Sequence, residues 1–72
     1  MTERDVEHCL MELLDAIALA DPEDAIVDIP KGLEDLKRVE TYEDAGMLTG
    51  NAGLVLRTRR GDEFQVTIVK SR

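Results

Sequence analysis

The sequence predicts an α+β fold: one N-terminal amphipathic helix packed on an antiparallel meander of about three strands, joined by an irregular connection containing Pro and Gly. Three observations carry this expectation. Apolar residues recur at helical spacing from Val6 to Ile17, two alternating runs follow Gly53, and Pro30-Lys31-Gly32 punctuates the middle. With 72 residues, the chain is expected to form a single small acidic domain spanning 1–72.

The helix comes first. Thr2 is a suitable cap, and Asp5 stands three residues later in a short version of the capping box. Glu3, Asp5 and Glu7 place negative charge where the helix dipole favours it. At about 100° per residue, Val6, Leu10, Leu13 and Ile17 share one narrow face, flanked by Leu14 and Cys9. Arg4, His8, Glu12 and Asp15 gather on the opposite side. Asp21-Pro22 ends the pattern.

Two further apolar residues spoil this division. Met11 lies well off the narrow face and Leu19 lies on the polar back. Together with Ala18, Met11 widens the apolar sector to roughly 200°, about twice what one contact needs. The surplus fits either a second chain or a covering loop after Pro22.

The connection is harder to read. Asp21-Pro22-Glu23-Asp24 resembles a new helix start, whereas Ala25-Ile26-Val27-Asp28-Ile29 reads as extended. Leu33, Leu36 and Val39 have helical spacing, yet Arg38 to Glu43 reads as a strand. The expectation is a turn or short helix from Leu33, then a strand from about Lys37 to Asp44.

The final third is clearer. Gly50-Asn51 matches a two-residue hairpin loop. Leu54, Leu56 and Thr58 then alternate with Val55, Arg57 and Arg59. After the turn Arg60-Gly61-Asp62, Phe64, Val66 and Ile68 alternate with Glu63, Gln65, Thr67 and Val69. The apolar members of both runs should meet the Val6–Leu10–Leu13–Ile17 face. The other sheet face, with Arg57, Arg59, Gln65 and Thr67, should be solvated around Val55 and Val69.

Composition limits function. Cys9 is the only cysteine, so no disulfide staples the chain, and a reducing, cytoplasmic setting is expected. The start of the chain lacks the features of a signal peptide, and no apolar run suits a bilayer. A net charge of −7 argues against direct contact with nucleic acid or anionic lipid, which need a basic footprint. The acids concentrate before Gly53, while the segment after it is net basic.

No catalytic, cofactor or metal constellation is expected. His8 and Cys9 are adjacent on a helix and point about 100° apart, which does not form a dyad. Cys9 should act as a small hydrophobe. His8, Glu12 and Asp15 share a helix face but form a poor metal set, better read as an exposed side-chain pair. Arg60-Gly61-Asp62 is turn chemistry. Arg57, Arg59 and Arg60 lack interleaved aromatics, so cross-strand pairing with acids is expected.

Two functions remain. The first is a non-enzymatic protein-interaction module forming a homodimer, with Met11, Ala18 and Leu19 or a free sheet edge after Val69 as the interface. The second is an acidic inhibitor or nucleic-acid mimic. Its surface of Asp21, Glu23, Asp24, Asp28, Glu34 and Asp35 would enter a basic groove on a partner protein.

Overall fold

A computed structural model describes residues 1–19 and 30–72. Helix α1 spans Glu3–Leu19. After a 3-10 turn at Lys31–Leu33 come β1 (Leu36–Thr41), β2 (Ala52–Thr58) and β3 (Glu63–Ile68). The strands form one antiparallel sheet in the order β1-β2-β3, with α1 against one face. The expected α+β meander is therefore the observed one. The readings for Asp21–Asp24 and Ala25–Ile29 lie outside the described residues.

The capping box forms as expected. The Asp5 N–H donates to Thr2 Oγ1 at 3.1 Å, and the Thr2 N–H donates to Asp5 Oδ2 at 2.8 Å. These hydrogen bonds to Thr2 hold the Asp5 carboxyl below its ordinary value of 3.8. Two donors that the first helical turn would leave open are thereby satisfied.

The helix does not face the sheet as its narrow stripe suggests. Leu10, Met11, Leu14 and Ala18 pack on the buried Leu36, Val39 and Leu54. Relative to Val6–Leu10–Leu13–Ile17, this face is turned by roughly 80° at helical geometry. Glu7, buried on the same line, explains the turn. Its Oε2 accepts the Gly53 N–H at 2.7 Å and meets Arg4 Nη1 at 3.2 Å. A buried carboxylate needs such partners, and securing them draws the Glu7–Met11–Leu14–Ala18 line onto the sheet. Leu13 is left 57% exposed on the flank.

β1 begins at Leu36 and stops at Thr41, close to the expected strand. Its register against β2 shifts between Leu36 and Arg38. A bulge at this point puts Leu36 and Val39, three apart, on one face of the sheet. The apparent helical spacing of these residues is thus that of a bulged strand.

Gly50-Asn51 is not a two-residue hairpin loop. The β1–β2 connection instead contains a single helical turn. Thr41 Oγ1 accepts the Asp44 N–H at 3.1 Å, and the turn closes at Gly46, whose φ is 76°. The Gly46 N–H reaches Glu43 O and the Met47 N–H reaches Tyr42 O, the two bonds of a Schellman cap. Local capping by Thr41 and Gly46 outweighs the Gly-Asn preference.

The β2–β3 turn is as read. The Gly61 N–H donates to Thr58 O at 3.1 Å and the Thr58 N–H to Asp62 O at 3.0 Å, with Gly61 at φ 96°. This is a type I turn with a glycine bulge.

The face away from α1 departs from the expectation of a solvated surface. Tyr42 and Val55 are buried there, Val55 being only 1% exposed. The Tyr42 ring lies over Gly53, where any Cβ would collide with it, and its hydroxyl meets Thr67 Oγ1 at 2.7 Å. Charged side chains frame this second small core. Glu40 pairs with Arg38 at 3.2 Å, and Arg57 pairs with Glu63 across the strands at 3.2 Å. Arg57 Nε, buried without a hydrogen bond, lies 3.5 Å from Glu40 Oε1.

Candidate interaction surface

A helix is about 10 Å across with its side chains, while three strands at about 4.8 Å spacing make a wider floor. One helix cannot cover all three. α1 lies against β1 and β2 and barely reaches β3. Phe64 pairs with Leu56, and Val66 with Leu54, on the helix side of the sheet as expected. Their burial is not as expected: Phe64 is 56% and Val66 40% exposed. With Leu13 on the adjoining helix flank, they leave an apolar shelf beside α1. At its end, Val6, Ile68 and Val69 line a small hollow of about 180 Å³.

The residues expected to form an interface are divided by the structure. Met11 and Ala18 pack within the chain, because Glu7 brings their side of the helix onto the sheet. They are partly buried against the core. Leu19 and Val69 remain exposed. Val69 follows β3 directly; Leu19 ends α1.

Of the acidic surface, Asp21, Glu23, Asp24 and Asp28 lie outside the described residues. Glu34 is exposed. Asp35 is engaged by the β2–β3 turn: its carbonyl accepts the Arg59 N–H at 2.9 Å and its carboxylate meets Arg60 at 3.6 Å.

His8 Nε2 stands 3.1 Å from Glu12 Oε1 on the solvent side of α1, as a surface pair. Cys9 is exposed, not tucked beside the apolar face, because the helix is turned away from it. Among the described residues, no three His, Cys, Asp or Glu side chains gather as a metal set. No helix among them is long and apolar enough to cross a membrane.

Sequence reasoning missed Glu7 as the polar tie between helix and sheet, and Phe64 and Val66 as surface. The imbalance between one helix and three apolar-faced strands was a usable signal for the second. Comparison with family models, with curated proteins and with solved structures returns no match for this chain.

Proposed function

We propose that this chain is a non-enzymatic protein-interaction module that self-associates through its β3 side. The observation that carries the reading is the apolar shelf of Phe64 and Val66 on an outer strand, with Leu13 on the helix flank beside it. A shelf of this kind, on a domain small enough to need extra burial, favours association over exposure to water. The exposed thiol of Cys9 fits a reducing, cytoplasmic setting.

The test is molar mass by light scattering over a wide concentration range, for the wild type and Phe64→Lys. The wild type is expected to form a dimer. The substituted chain should keep its circular dichroism and dissociate at least tenfold more readily, a loss of about 1.4 kcal/mol. A wild type that stays monomeric throughout would sink the reading. The search would then turn to a basic protein partner for the acidic surface.

A further inference from the structure

We propose that two copies of the chain pair edge to edge through β3, antiparallel and centred on Val66, making one continuous sheet. This rests on the self-association reading and specifies its geometry.

The choice of edge follows from how the two outer strands are built. β1 carries the bulge at Lys37 and the charged pair Lys37-Arg38, devices that discourage pairing with another strand. β3 runs against β2 without a register shift. It contains no proline or glycine, and Phe64, Val66, Thr67 and Ile68 favour extended structure.

Backbone direction agrees. The Thr58 N–H bond to Asp62 O closes the β2–β3 ladder. Alternation along that ladder turns the N–H and C=O groups of Gln65 and Thr67 outward, away from β2. Among the described residues no strand meets them.

The register follows from side-chain matching. Residues directly opposite in an antiparallel pair share a face, so the two-fold axis must fall on a residue. Centred on Val66, Phe64 lies opposite Ile68 of the second copy and Val66 opposite its own counterpart. Asp62 then lies opposite Lys70 of the second copy, so opposite charges close both ends of the apolar strip. Gln65 and Thr67 exchange backbone bonds across the axis. A shift of the axis to Gln65 sets Asp62 against Ile68 and Arg60 against Lys70. A shift to Thr67 sets Phe64 against Lys70. On the helix side of the sheet only the Val66 register matches apolar with apolar and acid with base; on the other face it sets Glu63 opposite Val69 of the second copy. Arg60, which approaches Arg72 of the second copy in this register, is already turned onto Asp35.

The test is disulfide trapping in a Cys9→Ser background. In the proposed register the two Val66 positions form a non-hydrogen-bonded pair with Cα atoms about 4.5 Å apart, within disulfide reach. The two Gln65 positions are offset by two residues along the strands and lie beyond it. Under oxidised glutathione, the Val66→Cys chain should form covalent dimer at least tenfold faster than the Gln65→Cys chain. Equal rates, or faster trapping at Gln65, in protein that light scattering shows to be dimeric would overturn the register and leave self-association standing. A chain monomeric at every concentration would overturn both. If Val66→Cys loses its circular dichroism, charge exchange decides. Asp62→Lys and Lys70→Asp should each weaken the dimer, and the double variant should recover it. Failure of the double variant to recover would reject the register.

Discussion

Gly53 and Glu7 show how much a single position contributes here. The Gly53 N–H meets the Glu7 carboxylate, its carbonyl accepts the Tyr42 N–H at 3.0 Å, and its missing side chain makes room for the Tyr42 ring. One glycine therefore joins α1, β2 and the core on the far side of the sheet. Gly53→Ala should force the ring and the β3 backbone apart, costing about 1–3 kcal/mol. For a domain of this size that is a fall in Tm of roughly 10 °C. Thermal denaturation followed by circular dichroism measures it, and a change within about 2 °C would mean that the ring yields at little cost. Tyr42→Ala should make the glycine substitution much less harmful, since neighbours in contact do not add.

At the scale of elements, the caps decide where the chain starts and stops its turns. α1 opens on the Thr2–Asp5 box, and the helical turn in the β1–β2 connection opens on Thr41 and closes at Gly46. Asp5 links the first of these to pH. Its folded value lies below the ordinary 3.8 because of the hydrogen bonds to Thr2. The stabilisation is therefore present above the ordinary value and fades as pH falls through the lower folded value. Amide protection in the first turn of α1, taken relative to the intrinsic exchange rate at each pH, should fall below about pH 4. Asp5→Asn should remove that acid dependence, and an unchanged acid response in this variant would assign it to another group.

At the scale of the molecule, the described residues form a helix on a three-stranded sheet, with more apolar sheet than that one helix can shield. The proposed dimer also brings together two chains of net charge −7 each. Their mutual repulsion is long-ranged and is screened by salt. Raising the salt from about 0.05 to 0.5 M should leave the dimer intact or tighten it. Sedimentation equilibrium across that range reads the effect. Marked dissociation at high salt would show that ion pairs, not the apolar strip, hold the copies together.

The helix, its cap, the β2–β3 hairpin and the inward direction of Leu54, Leu56, Phe64 and Val66 were all legible in the sequence. Each depends on local periodicity or on capping within a few residues. What escaped were decisions made between elements. The line of α1 that meets the sheet depends on Glu7 finding the Gly53 N–H, forty-six residues away. The spacing of Leu36 and Val39 became strand spacing only through a bulge against β2. Burial of Tyr42 depended on an empty Cβ position on the next strand. The sequence by itself thus determined which segments become helix and strand and which strand face is apolar. Tertiary structure alone decided which of those apolar faces is covered. A side chain's direction is a local property of its backbone, whereas its burial depends on what packs over it.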